Sequence, residues 1–337
     1  MRHRIAAAAI AGLAVASGLS GAAEAQTTPV TVVVPNPSAI NNFPLHVAQG
    51  EGYFEEEGLD VTVEAVNGSA AVLQTMASGQ AQIGNPGPGP LLAARARGED
   101  VVFIYNQFPK SIFGLVVPEE SDVQSPADLE GSVIGVGTAD GAEVAFTRGI
   151  MSDHGLQEGE DYEFLAIGDG GTAVAAFLNE EVEAYAAAVS DAAIIEARGI
   201  PLREITPEEY LGYFGNGWAV TRAYLDENPE VIEGFGRALA RASEFGMDPA
   251  NTEAVLDHAA AGNPQEGEDR AFAAALLEAV RERQTPIDAE RPWGYQPPED
   301  WEAWHQSQID TGALAEPLED LEAAYTNDFV DTWNEGL

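Results

Sequence analysis

The chain has 337 residues, enough for two domains of ordinary size, each with a core of its own. Its formal charge of -41, with one lysine (Lys110) beside 14 arginines, excludes a basic surface for nucleic acid or anionic lipid. The absence of cysteine excludes disulfides, thiolate metal sites and a lipidated N-terminal cysteine. Because the acids are spread along the whole chain, they read as a hydrated surface suited to high external salt, which screens self-repulsion.

Arg2 and Arg4 precede an apolar run from Ile5 to Leu19, and Ala23-Glu24-Ala25 is the small-x-small pattern a signal peptidase cuts. Residues 1–25 therefore read as a signal peptide, with Gln26 as the mature N-terminus. The run is shorter than the ~20 apolar residues of a membrane span, so a soluble periplasmic monomer is expected. Val30 to Val34 is a strand stopped by Pro35, which has no amide donor, and Asn36-Pro37-Ser38 is turn chemistry. Asn42 caps a helix with Pro44 in its first turn, and Gly58 precedes a strand in which Leu59, Val61 and Val63 alternate with polar residues. Ser69 caps the next helix, with Leu73 and Met76 on one face. Gly79 ends it, and Ala81 to Gly84 is the third strand. Pro86-Gly87-Pro88-Gly89-Pro90 reads as a stiff loop before a helix from Leu91 to Arg97, and Val101 to Tyr105 is a buried strand.

Strands in this half thus end near Asn36, Asn67, Asn85 and Asn106. In open α/β sheets, ligands collect beyond the carboxyl ends of strands, where an amide can both donate and accept. Asparagine also simply favours turns. In the second half, Ile112 to Val117 reads as a crossing strand and Ser132 to Gly137 as a buried one that feeds Thr138-Ala139-Asp140-Gly141-Ala142-Glu143. Gly135-x-Gly137-x-x-Asp140 lacks the third glycine of a dinucleotide fingerprint. What it offers is a turn feeding a helix N-terminus, where free amides point at a polar group. Tyr162 to Ile167 and Glu183 to Val189 are further strands, ending in Gly168-Asp169-Gly170-Gly171 and Ser190-Asp191. Residues 170–185 repeat the plan of 69–84 at an offset of about 100. Gly215 to Thr221 runs back toward the first half, and the remainder is helical. Trp293, Trp301 and Trp304 read as packing, whereas Trp218, at the crossing, suits either packing or stacking on a flat ligand.

The words PLHVAQGEGYFEEEGLDV and LQTMASGQAQIGN, with SDVQSPADLEGSVIGVG, AAFLNEEVEAY and DTGALAEPLEDLEAAYTNDFVDTWN, resemble periplasmic substrate-binding proteins of ABC importers, in the nitrate, taurine and thiamine-precursor family. The resemblance implies an α/β fold of the two-lobed type II periplasmic-binding-protein kind, with two hinge crossings and a cleft between lobes. Residues 26–113 and 222–337 would form lobe 1 and 114–221 lobe 2. It implies a small organic solute as ligand and an ABC permease with its ATPase as partners. Gln82 and Glu180 depart from the family, which usually has aspartate and glycine there. Glycines at Gly114, Gly215 and Gly217 are candidates to absorb hinge bending.

The candidate ligand residues are Asn36, Phe43, Asn67, Ser69, Asn85 and Asn106 from the first lobe, Thr138, Asp140, Gly141, Glu143, Asp169 and Ser190 from the second, and Trp218 between them. No histidine pair has metal-ligand spacing, and no nucleophile motif is present, so neither metal nor cofactor is expected. Two alternatives share the fold: a soluble sensor for a membrane receptor, and a pyrimidine synthase holding pyridoxal phosphate on a lysine. For the second, Lys110 is the sole candidate and the synthase's cysteine motif cannot exist. The candidate loops offer acids and amides rather than cations, with Lys110 and Arg148 the only ones nearby, which favours a neutral or amine-bearing solute over an anion.

Overall fold

In the computed structural model, which describes residues 27–168, 171–288 and 290–337, strand β1 (Thr28–Val34) leads through helices α1 (Phe43–Gly50) and α2 (Tyr53–Glu56) to β2 (Leu59–Ala65). Helix α3 (Gly68–Ala77) leads to β3 (Ile83–Gly84), and α4 (Pro88–Ala96) to β4 (Val101–Asn106). The chain then crosses into β5 (Phe113–Pro118), β6 (Val133–Val136), α5 (Ala142–Asp153), β7 (Glu163–Ala166), α6 (Gly171–Leu178), β8 (Ala184–Ala188), α7 (Val189–Ala197), β9 (Leu202–Glu204) and α8 (Glu208–Leu211). It returns as β10 (Gly217–Thr221), followed by α9 (Arg222–Glu227), α10 (Pro229–Met247), α11 (Thr252–Gly262), α12 (Arg270–Gln284), α13 (Pro298–Asp310) and α14 (Val330–Trp333). The expected signal segment, 1–25, and the candidate Asp169 lie outside the described residues.

The two sheets follow one plan, β2-β1-β3-β10-β4 and β7-β6-β8-β5-β9. In each, four strands run in one direction, and a strand delivered by a crossing is inserted antiparallel between the third of them and the last. Within the expected second lobe, 114–221, the last strand is an exception: β10 pairs with β3 and β4 of the first sheet. The prolines bring a second difference, since α4 begins at Pro88 rather than beyond Pro90. Both prolines sit in its first turn, where amides have no intrahelical acceptor and none is lost.

The internal repeat extends to side chains. Gln82 Oε1 accepts the Thr31 amide at 2.7 Å, and Glu183 Oε2 accepts the Val133 amide at 2.7 Å, so each pairs a backbone amide of the neighbouring strand, β1 or β6. Helix α3 ends with Gly79 in the left-handed region at φ 73°, Gly79 N bonding Met76 O and Gln80 N bonding Thr75 O. Helix α6 ends in the same paired-bond motif, with Glu180 at φ 56° in the glycine position. Gln82 therefore does the work of an acceptor side chain, whereas Glu180 carries backbone strain.

The glycines at the crossings lie at close approaches. A Cβ on Gly217 would stand 2.3 Å from Tyr105 O, and one on Gly114 2.5 Å from Glu204 Oε1. The aromatic tail locks the first sheet. Trp301 meets Phe103 and Phe214 edge-on at 5.3 and 4.9 Å, and Trp304 Nε1 donates to Phe214 O at 3.0 Å. Among the described residues no helix is long and apolar enough to cross a membrane, and no group of three potential metal ligands is found.

Candidate functional site

The carboxyl ends of β1, β6 and β8 face one another across a cleft between the sheets, as parallel α/β sheets arrange. Its inner pocket, of about 50 Å³, is lined on the first side by Pro35, Asn36, Gly68 and Ser69. On the second side the lining includes Phe113, Gly137, Thr138, Glu143, Tyr185 and Asp191. The sides approach closely. A Cβ on Gly68 would lie 2.7 Å from Thr138 Oγ1, one on Gly87 2.3 Å from Ala142 Cβ, and Asn41 Nδ2 donates to Ser190 Oγ at 2.9 Å.

Three helices begin at this pocket, and their first turns differ in charge. Helix α3 has no acid there, and Asn67, at its N-cap, makes no side-chain cap bond. The α3 end therefore keeps the partial positive character of unsatisfied amides. Ser69 Oγ accepts the Gly87 amide at 3.1 Å, which leaves the hydroxyl proton to donate. Helix α5 carries Glu143 in its first turn, and Glu143 Oε1 accepts the Thr138 amide at 3.0 Å. Helix α7 carries Asp191, which is 8 % exposed. The first side thus presents donors and the second presents carboxylates. Among the described residues, Thr138 Oγ1 is buried without a hydrogen-bond partner and no cationic side chain lines the pocket. Beside the α5 N-terminus the chain's own Glu143 carboxylate, which accepts the Thr138 amide of the preceding turn, puts negative charge where an anion would approach.

Behind the pocket runs a buried amide band that joins the crossings to the first sheet. Gln107 and Gln284 Nε2 both donate to Asn41 O, at 3.0 and 3.1 Å. Asn85 Nδ2 donates to Gln107 Oε1 at 3.1 Å, and Asn216 Nδ2 to Asn85 O at 3.1 Å. Asn41 Oδ1 and Asn216 Oδ1 remain buried without partners. Such a band is costly unless paired, and it fixes the rim that carries the site.

The structure brings Asn36, Ser69, Thr138, Glu143 and Ser190 to the cleft. It places the other candidates elsewhere. Phe43 is fully buried under α10, where a Cβ on Gly246 would meet its ring at 2.2 Å. Asn67 is exposed outside the pocket lining, and Asn85 belongs to the amide band. Asn106 pairs with Gly294 of the tail, and its Oδ1 is buried without a partner. Asp140 and Gly141 line a separate groove with Arg148 and Gln308 on the outer face of α5. Trp218 is 1 % exposed and packs edge-on against Phe235 at 5.5 Å, so packing is its role: strand alternation turns it toward α10. Sequence reasoning missed Gly68, Tyr185, Asp191 and the amide band. Asp191 stands beside the candidate Ser190 in the first turn of a helix, which was the available signal.

Two similar α/β lobes closing on a cleft of donors and acceptors define a solute-binding protein of the periplasmic class. The chain belongs to the NMT1/THI5-like family, whose model matches residues 39–252. It is 27% identical over 315 residues to the riboflavin-binding protein RibY of Chloroflexus aurantiacus, covering 90% of this chain and 86% of that protein. It is 26% identical over 279 residues to the formylaminopyrimidine-binding protein of Halalkalibacterium halodurans, covering 79% and 80%. The alkanesulfonate-binding protein SsuA of Xanthomonas axonopodis pv. citri bound to MOPS superposes with a TM-score of 0.70 at 18% identity, over 89% of this chain and 99% of that one. That likeness establishes the fold.

Proposed function

We propose that this solute-binding protein captures a neutral or cationic nitrogen heterocycle and delivers it, by closing its lobes, to an ABC permease and its ATPase. The observation that carries the reading is the opposite chemistry of the two walls. The α3 N-terminus and the Ser69 hydroxyl donate, and Glu143 and Asp191 accept. A ring with an acceptor edge and an amino-donor edge bridges such walls only when they come together, so its differential contacts drive closure. An anion would face two carboxylates, and no arginine or lysine is among the described residues that line the pocket. Two relatives matched over most of their length are named for ring compounds, riboflavin and formylaminopyrimidine, which agrees with this chemistry. Export through segment 1–25, cleaved before Gln26, would place the protein in the periplasm. Its lobes are taken as residues 27–106 with 217–337, and 113–204.

An enzyme that anchors pyridoxal phosphate does not fit the cleft. Lys110 is the only lysine, and its Nζ donates to Glu282 O at 3.1 Å, away from the pocket lining. A thermal-shift screen tests the binding reading: aminopyrimidines and riboflavin are expected to raise Tm, and taurine and nitrate to leave it unchanged. Stabilisation by taurine or nitrate, with none by the ring compounds, would overturn it.

A further inference from the structure

Beyond the inner pocket the cleft widens into an outer groove of about 430 Å³, and the two share Asn36 and Asp191. Pockets for organic ligands commonly measure about 300–1,000 Å³. The outer groove has that size, whereas the inner pocket, of about 50 Å³, takes the edge of a ring. One wall of the groove is α7, with Ile194 and Arg198. The other is the strap between α11 and α12, with Gln265, continued by Phe272 in the first turn of α12.

The strap is fixed to the site. Glu266 accepts from Ser38 Oγ at 2.6 Å and from the Ala39 and Ile40 amides at 2.8 and 3.0 Å, and Asn263 Nδ2 donates to Pro37 O at 3.0 Å. The Glu266 carboxylate occupies the amide cradle next to Asn36, so that cradle is closed to an anionic ligand. The wall is thereby pre-organised before any solute arrives.

Groups of both charges line the groove. The Gln265 side-chain amide forms no hydrogen bond, and Arg198 no ion pair, among the described residues, while Asp191, Glu266 and Asp269 line the same space. A phosphate or sulfonate would meet three carboxylates against one guanidinium. A hydroxyl donates and accepts, so a run of hydroxyls satisfies carboxylate, amide and guanidinium alike. Phe272 and Ile194 offer apolar surface to the carbon chain between them.

We infer that the outer groove is a second subsite, built for an uncharged hydroxylated tail attached to the ring whose edge enters the inner pocket. This rests on the heterocycle reading above and adds to it the tail and the residues that recognise it, Gln265 and Arg198. Titration calorimetry on the full chain tests it with two matched series: lumichrome, riboflavin and riboflavin 5′-phosphate; and cytosine, cytidine and cytidine 5′-monophosphate. In at least one series the hydroxylated member is expected to bind at least about tenfold tighter than the bare ring, and the phosphorylated member to lose that gain. Gln265→Ala and Arg198→Gln should each shrink the ratio between hydroxylated member and bare ring. Equal affinity of bare and hydroxylated rings, or tightest binding by a phosphorylated member, overturns the tail subsite and leaves the ring reading standing. No binding by any compound overturns both.

Discussion

Replacing Gly68 with alanine separates the cost of local strain from the cost of closing the lobes. Gly68 opens α3 at φ 84°, so Gly68→Ala introduces left-handed strain of about 1–2 kcal/mol wherever the lobes stand. The new Cβ would also lie 2.7 Å from Thr138 Oγ1, a side chain on the opposite lobe. That overlap exists only on closure, and overpacking of this kind costs roughly 1–3 kcal/mol, or about 5- to 150-fold in affinity for any solute bound by closure. Gly52 provides the control. It has φ 78° and nothing within 4 Å of its added Cβ, so Gly52→Ala carries the strain without the clash. Thermal melts should therefore show similar losses in both variants, about 2–4 °C per kcal/mol in a chain this large. Calorimetry with a solute found by the Tm screen should show weakened binding in Gly68→Ala alone. Equal affinities in the two variants would refute the argument that Gly68 and Thr138 meet as the cleft closes.

Two further predictions concern strain and charge outside the cleft. Glu180→Gly should stabilise the fold by about 0.5–1 kcal/mol, since glycine relieves the left-handed strain but costs more entropy on ordering; a Tm unchanged or lowered would show that Glu180 is not strained. Burial, reinforced by Glu299 and opposed by Arg291, raises the Asp300 carboxyl to about 6. Between the unfolded value and that value the folded chain holds the extra proton, so stability falls as pH rises through this window and stays lower above it. Asp300→Asn should therefore raise the unfolding free energy from urea melts at pH 8, by an amount solvent screening limits to about 1–2 kcal/mol, and the gain should shrink toward pH 4. An equal gain at both pH values would mean that ionisation is not the cause.

Much of the fold was legible because its signals are local. Pro35 ends β1, Gly79 sits at the glycine position after α3, and the resemblance between 69–84 and 170–185 extends to the matching strand amides accepted by Gln82 and Glu183. The same offset that revealed the repeat also explains why Glu180 is anomalous. The prolines before Leu91 misled, because their effect depends on whether they fall in a helix interior or its first turn, and the composition of the run is the same in both cases.

The site was legible only in part. Strand ends followed by polar residues pointed to Asn36, Thr138 and Ser190, but a strand end names a rim and does not say which side chains turn inward. Phe43 is consumed by packing against α10 and Asn106 by the tail, partners more than 100 residues away along the chain, and Trp218 is consumed by Phe235, on the same helix α10. Asn41, Gln107 and Gln284 carry no motif; their amides join only because α1, β4 and α12 converge behind the cleft.

The sequence by itself determined the two-fold plan, the strand order within each local unit, the absence of thiol chemistry and the predominance of acids and amides in the candidate loops. Only the tertiary structure decided that β10 and β5 insert antiparallel among the otherwise parallel strands of the two sheets, and that donors line one wall of the cleft while Glu143 and Asp191 line the other. Caps, turns and periodicity act over a few residues and are written in order along the chain. The character of the cleft depends on pairs of walls brought together from roughly 70 to 150 residues apart, and that closeness is fixed by packing.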